Sequence, residues 1–542
     1  MKLLQPTQFI KVIIVSLALI MLASCSSKPS SLSIIPESTN VVTVVDVYSL
    51  IKKGELNELE QFDLFKTFKK EIRNENKKVS RMMQNVIDDP TETGLDFTND
   101  LLMFYVNEAK DEQYYAMALD LKNEEKFTVF IEDLLDKGGV SFDVENEKSY
   151  KYIIVNKDVA FAWDKNKVIC LTSKNYESRK NFDLTINTLF GLKENNQITQ
   201  NKDFTTFYNN KKDISLWFST NLLEDNYQYK RMMRELDFDI ADNYVAAHLN
   251  FENNNMSMQW KLFPNDDVKK MVEEDPILNT NFNSDLLSFL PENSLANASV
   301  SMNPMAYYNM LKSENDFDKM ENKFENEMGF TLKEFIGSFK GSAVFNLIDI
   351  KEVEYTYQNY YSDTVTKTEP LPIMGLAFDI SSNTYIKQII EKLPENDLQK
   401  RSDYYEIKID NRYDMYLAFN SNTCYFTNDK ASVKAFKDGG LKSGSLLMSN
   451  QVSNFKNNAF YASMNLDFDT YPNTIKKELT KAQNSREGRV FDMWSEFASS
   501  LELKQIDNYT MQLDLKTKDN NKNSLNNMLS LIDRSYNSYM GL

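Results

Sequence analysis

A single histidine, His248, serves the whole 542-residue chain, within Tyr244-Val245-Ala246-Ala247-His248-Leu249-Asn250. Histidine titrates near neutrality, so it is the side chain most often recruited as general base or as partner of a serine or cysteine nucleophile. Strand alternation places His248 with Tyr244 and Asn250, which predicts the solvated face of a strand. No nucleophile motif accompanies it. Zinc needs clustered cysteine and histidine, and beyond Cys25 the chain has only Cys170 and Cys424. These two are expected as buried free thiols in matching hairpins; aligning Thr172 with Thr427 sets Cys424 against Ile169, one residue out and on the opposite face. Asp237-Phe238-Asp239, Asp316-Phe317-Asp318 and Asp467-Phe468-Asp469 pair acids without the glycine and distal glutamate of an EF-hand. Phosphate-cradling glycine loops and a Gly-x-Ser-x-Gly elbow are absent from the sequence. The expectation is no catalytic residue, no metal and no cofactor.

Cys25 has a different chemistry. Lys2 and Lys11 precede the apolar run Val12 to Ala23, which is shorter than the ~20 residues that cross a bilayer. Leu22-Ala23-Ser24 then meets Cys25, and this order resembles the bacterial lipobox, in which the cysteine is acylated and becomes the first mature residue. Residues 1–24 are thus expected as a lipoprotein signal peptide and 25–31 as a polar tether. By resemblance to lipoprotein sorting signals, Ser26 favours the outer membrane. With no acidic cluster after Cys25, the periplasmic face is expected ahead of the cell surface. The formal charge of −17, without a long basic run, argues against nucleic acid and against electrostatic docking to anionic lipid. Membrane contact is expected from the lipid alone.

The elements around these residues repeat. Ser33-Ile34-Ile35-Pro36-Glu37-Ser38 returns as Ser288-Phe289-Leu290-Pro291-Glu292-Asn293, and Ala162-Trp163-Asp164-Lys165-Asn166 as Ala418-Phe419-Asn420-Ser421-Asn422. A third match sets Ile240-Ala241-Asp242-Asn243-Tyr244 against Ile506-Asp507-Asn508-Tyr509, which makes Leu513 the partner of His248. Short alternating strands joined by tight polar turns must pair antiparallel, and helical spacings such as Leu56, Leu59, Phe62, Phe65 and Phe68 lie between them. The fold class expected is α+β: a tandem duplication of a mostly antiparallel sheet with helices packed on one face. Residues 32–265 form the first repeat, 266–285 a linker and 286–542 the second, with a hairpin insertion at 351–370. Fourteen glycines and twelve prolines are too few for a propeller, a collagen-like rod or a proline stalk.

The insertion carries Tyr355, Tyr357, Tyr360 and Tyr361, a row able to touch a glycan or a protein through apolar ring and hydroxyl, or to pack on its own domain. The acylated cysteine, the opening Ile-Pro-x-x-x-x-Val-Val-x-x-Val-Asp at Ile35 to Asp46 and the second opening Leu290-Pro291-Glu292-Asn293 resemble the Bacteroidetes lipoproteins classed as domain of unknown function 4836. That resemblance spans nearly all the mature chain and implies no activity. The expected function is that of a non-enzymatic, outer-membrane-anchored envelope lipoprotein that engages an envelope protein partner, binds no nucleic acid and meets the membrane through Cys25. The alternative is a surface-exposed accessory that binds a glycan through the tyrosine arm.

Overall fold

Alternating apolar segments separated by Asn- and Asp-rich turns pair throughout as antiparallel strands. The Val155 to Asp158 turn shows why: Asn156 and Lys157 both take positive φ, 49° and 60°, the geometry that lets two twisted strands meet in a two-residue hairpin. The computed structural model describes residues 29–55, 61–75, 77–109, 112–223, 241–314, 316–358, 361, 363–394, 396–409, 413–471, 473, 475–477 and 493–540. The signal segment 1–24, Cys25, Tyr360 and Asp237-Phe238-Asp239 lie outside them. The described residues divide into two compact units: unit 1 draws on Met1–Asn226, Ile240–Pro264 and Asp519–Leu542, and unit 2 on Asn265–Lys518.

Unit 1 has ten strands: β1 Val41–Val45, β2 Leu101–Asn107, β3 Gln113–Asp120, β4 Glu145–Asn146, β5 Lys151–Val155, β6 Val159–Trp163, β7 Lys167–Thr172, β8 Ile214–Ser219, β9 Tyr244–Glu252 and β10 Asn255–Phe263. They pair in the order β4-β5-β6-β7-β3-β2-β1-β8-β9-β10, every neighbour antiparallel. Unit 2 has β11 Ala296–Ser301, β12 Phe339–Gln358, β13 Thr364–Ile380, β14 Leu398–Lys400, β15 Tyr404–Lys408, β16 Asp414–Phe419, β17 Thr423–Thr427, β18 Phe460–Asn465, β19 Ala498–Asp507 and β20 Thr510–Thr517. Its order is β14-β15-β16-β17-β13-β12-β11-β18-β19-β20, again antiparallel throughout. The two orders are the same.

The backbone outside the strands corresponds as well. Ile198 N donates to Ile35 O at 2.9 Å and Glu37 N to Asn196 O at 2.8 Å; in unit 2, Leu446 N donates to Leu290 O at 2.8 Å and Glu292 N to Gly444 O at 2.9 Å. Asn40 N to Tyr105 O matches Leu295 N to Leu347 O, and Ser219 N to Asn40 O matches Asn465 N to Leu295 O. Two of the three sequence matches therefore fall on corresponding positions. The third does not: Asp242-Asn243-Tyr244 leads into β9, whereas Asp507-Asn508-Tyr509 turns from β19 into β20. By strand pairing, Ser215 faces His248 where Tyr461 faces Lys504, so Lys504 and not Leu513 holds the position of His248.

Helices cover both faces of each sheet, not one. In unit 1, Val47–Gly54, Lys77–Asp88 and Glu124–Gly138 pack on the face of Phe161 and Trp163. Ser30–Ile34, Phe182–Phe190 and Lys202–Asn209 pack on the face of Val42, Phe104 and Trp217. The β6 run Val-Ala-Phe-Ala-Trp, buried at all five positions, has this cause: a strand covered on both sides loses its polar alternation. In unit 2, Lys430–Lys437 and Val452–Asn457 lie over Ala377, Tyr425 and Tyr461, while Thr384–Ile390 lies over Leu417 and Cys424.

Three expected boundaries move. Ser30 and Ser31 are not tether: both amides donate to the Asp120 carboxylate, at 3.0 and 2.8 Å, and Ser31 is fully buried. The expected linker 266–285 holds the helix Asp266–Glu274, started by Asn265 accepting from Val268 N, and Leu278 then bridges to Met302 within unit 2. The final helix Ser524–Met540 belongs to unit 1, where Ser524 Oγ donates to Asn255 O at 2.9 Å and Asn526 Nδ2 to Gly54 O at 3.1 Å. Among the described residues, no helix is long and apolar enough to cross a membrane.

Candidate functional site

His248 is buried, 6% exposed, rather than solvated, because the helix Lys202–Asn209 covers that face of β9: the Phe207 ring stacks on the imidazole at 5.2 Å. Ser215 Oγ accepts from Lys212 N at 2.9 Å, which leaves its hydroxyl hydrogen for His248 Nδ1, also at 2.9 Å. Burial, then the charges of Lys212 and Lys261, push the imidazole down to about 4. This serine-histidine pair holds two strands together in the core, where Ser215 is fully buried. Cys170 and Cys424 are free thiols, each pushed up to about 12 by burial alone. Strand pairing puts Trp163 against Val168 and Phe419 against Cys424, so Cys424 matches Val168 and shares a face with Cys170, contrary to the opposite faces expected.

The open chemistry lies at the end of each sheet where Pro36 and Pro291 begin their units. In unit 1 a cleft of about 700 Å³ opens there. Three separated segments supply its four carboxylates: Glu37 after Pro36, Glu108 and Glu112 from the turn between β2 and β3, and Asp242 ahead of β9. Val106, Tyr114, Leu184 and Leu192 add an apolar wall, and no lysine or arginine lines it among the described residues. Glu108 is exposed, and partial loss of hydration, reinforced by Glu112, pushes its carboxyl above the ordinary range. Tyr114 is 6% exposed, edge-packed on Phe104, and its phenol has no hydrogen-bond partner among the described residues. Burial and then Glu108 and Glu112 push that phenol up, so it stays a neutral donor. Acceptors with no cation beside an apolar wall suit a positively charged group carried on an apolar stem.

Unit 2 has no such turn. β12 and β13 run past their neighbours: β11 pairs with β12 only at Ser342 to Leu347, and β17 with β13 only at Gly375 to Asp379. From Asp349 to Gln358 and from Thr364 to Ile373 the two strands pair with each other alone, a ribbon of roughly 30 Å at about 3.3 Å per residue. Lys351, Glu352, Glu354, Pro370 and Pro372 along its length blunt the open edges. Tyr355 and Tyr357 share one side, ring centroids 6.1 Å apart, opposite Lys367 and Val365. Tyr357 is 42% and Tyr361 80% exposed.

Sequence reasoning singled out the tyrosines and missed the cleft. Its four acids come from two loops and a strand lead-in, with no spacing that joins them before the chain folds. A family model described as "Domain of unknown function (DUF4836)" matches residues 32–525. No curated protein matches the chain. A solved structure titled "Structure of crystal form IV of TP0453" is similar at 11% identity over 47% of this chain and 86% of that one, with a TM-score of 0.25.

Proposed function

The chain belongs to the DUF4836 family, whose description carries no activity, and from that premise we propose a non-enzymatic, lipid-anchored protein of the cell envelope that works by holding a partner protein. In this reading Cys25 carries the acyl chains, the body sits at the periplasmic face of the outer membrane, and the cleft of unit 1 receives a basic segment of the partner. The observation that carries it is the cleft: Glu37, Glu108 and Glu112 are acceptors without an ion pair among the described residues, beside the unpartnered Tyr114 phenol. A lysine or arginine would supply both the charge for the acids and an aliphatic stem for the apolar wall. The buried state of His248 and Cys424, with Cys170 half-buried, supports a role in binding over one in turnover.

Calorimetric titration of the mature protein with a peptide of alternating lysine and leucine tests this. Binding is expected, weakened at least about tenfold by Glu108→Gln with Glu112→Gln, since each charge-assisted hydrogen bond contributes about 1.5–3 kcal/mol. Equal affinity of wild type and variant sinks the cleft as the site. A second reading, favoured by the exposure of Tyr357 and Tyr361, is a surface accessory that grips a glycan with the ribbon. It fails if Tyr355→Ala with Tyr357→Ala leaves glycan affinity unchanged in a folded protein.

A further inference from the structure

The helices Asp63–Glu75 and Lys77–Asp88 of unit 1 carry a feature that net charge conceals. Lys66, Lys69, Lys70 and Arg73 recur at the spacing that lines one face of a helix, and Lys77, Ser80, Arg81 and Gln84 do the same on the next. The apolar positions point elsewhere: Phe62 and Phe65 pack with Ile87 and Leu529, and Val79, Met82 and Val86 enter the core. Those eight polar side chains line a cleft of about 690 Å³, six of them cationic and none acidic. Lys66 is paired with Asp63 at 2.8 Å and Lys69 lies over the Phe65 ring. Lys70, Arg73, Lys77 and Arg81 have no partner among the described residues. Those four cations, gathered in a chain of formal charge −17, repel one another, and an anion between the helices removes that repulsion.

We propose that this cleft binds the phosphate groups of an anionic membrane surface. The choice of a membrane rests on the reading that Cys25 is acylated. Only residues 26–28 then separate the anchor from Pro29, a reach of roughly 14 Å at about 3.5 Å per residue. Ser30 and Ser31 are clamped to Asp120, and Leu121 beside it shares a core cluster with Val79, Met82 and Val86 of the basic hairpin. The anchor thus holds unit 1, basic cleft included, at the headgroups, where the excess of acid elsewhere no longer governs encounter. A free nucleic acid would have to approach against that excess. Membrane contact in this account has two parts, lipid and charge, where net charge alone had led to the expectation of lipid only.

The test uses the full mature chain with Cys25→Ser, so that no acyl group contributes, sedimented with vesicles rich in phosphatidylglycerol or made of phosphatidylcholine alone. Expected is binding to the anionic vesicles only, lost as the screening length falls from about 10 Å at 0.1 M salt to about 3 Å at 1 M. Lys70→Gln, Arg73→Gln, Lys77→Gln and Arg81→Gln together should weaken it roughly a hundredfold, since each surface cation contributes severalfold. Circular dichroism checks the fold of that variant; if it does not fold, Lys70→Gln with Arg73→Gln decides the matter, at roughly tenfold. Equal binding to both vesicles, undiminished binding by a folded variant, or tighter binding to an RNA oligonucleotide than to the vesicles would overturn the proposal. The mass of the N-terminal peptide from wild-type cells tests the anchor separately: an unmodified Cys25 rejects the acylation reading whatever the vesicles show.

Discussion

Across the middle of unit 1 runs a row of cross-strand neighbours, Leu171, Ala116, Phe104, Val42, Trp217 and Ala246. The positions that correspond in unit 2 are Thr427, Gly375, Asn346, Asn297, Ser463 and Glu502. In unit 1 the row packs with Phe204 and Phe207 and is held by burial. In unit 2, Asn346 Nδ2 donates to Ser294 Oγ at 2.7 Å and to Asn297 Oδ1 at 2.5 Å, while Asn346 Oδ1 is buried without a partner. The same strand order thus survives on two chemistries, because backbone pairing and the Pro36 and Pro291 openings are common to both and the central side chains are not. At the loop end the difference is larger. One unit ends in a carboxylate cleft and the other in a tyrosine ribbon, which is the pattern of a shared frame carrying separate binding surfaces. The matched strand orders and matched backbone hydrogen bonds are what the two units have in common.

The comparison can be broken at its centre. Phe104→Ala should cost about 4 kcal/mol in urea unfolding, the range for a phenylalanine removed from a packed core. A loss below about 1.5 kcal/mol would mean that the row does not organise unit 1. His248 gives unit 1 a pH dependence that Lys504 cannot supply at the same position. Its folded-state value lies near 4, below the ordinary 6.5, so the neutral ring is favoured on folding. That contribution is complete above pH 6.5 and is lost as pH falls from 6.5 towards 4, by about 3 kcal/mol. Unfolding free energies from urea titrations at pH 7 and pH 4 should therefore differ more in wild type than in His248→Gln by that amount; equal differences would place the imidazole in water.

Asn346→Ala in unit 2 should cost about 2 kcal/mol, because it removes one unsatisfied oxygen but leaves the buried Asn297 Oδ1 without its donor. A cost near that of Phe104→Ala would erase the distinction between the two rows. The smallest effect belongs to the ribbon. Tyr355→Ala with Tyr357→Ala should change stability by no more than about 0.5 kcal/mol, since those strands pair only with each other. A loss of about 2 kcal/mol would show that the rings pack on the body.

Local signals explain what was legible beforehand. The hairpins, the α+β class and the extra length at 351–370 rest on alternation and turn residues, which act over a few positions. Alternation names the residues sharing a face but not what covers that face, so His248 was set on the right side of β9 and given the wrong surroundings. The all-apolar Val159 to Trp163 carried the missed signal for helices on both faces. The seat of Ser524–Met540 on Gly54 and Asn255 depends on contacts about 270 to 470 residues away in sequence. The cleft acids had no local mark, whereas Lys66, Lys69, Lys70 and Arg73 had one that a whole-chain charge averages away.

The central claim is that the unit 1 cleft receives a cationic segment, and the Glu108 carboxyl reports on it directly. Its titration can be followed by carbon NMR of labelled glutamate, with and without the lysine-leucine peptide. The account predicts a midpoint above the ordinary glutamate value in the free protein, and a fall when a bound cation replaces lost hydration. A midpoint that the saturating peptide leaves unmoved would contradict it.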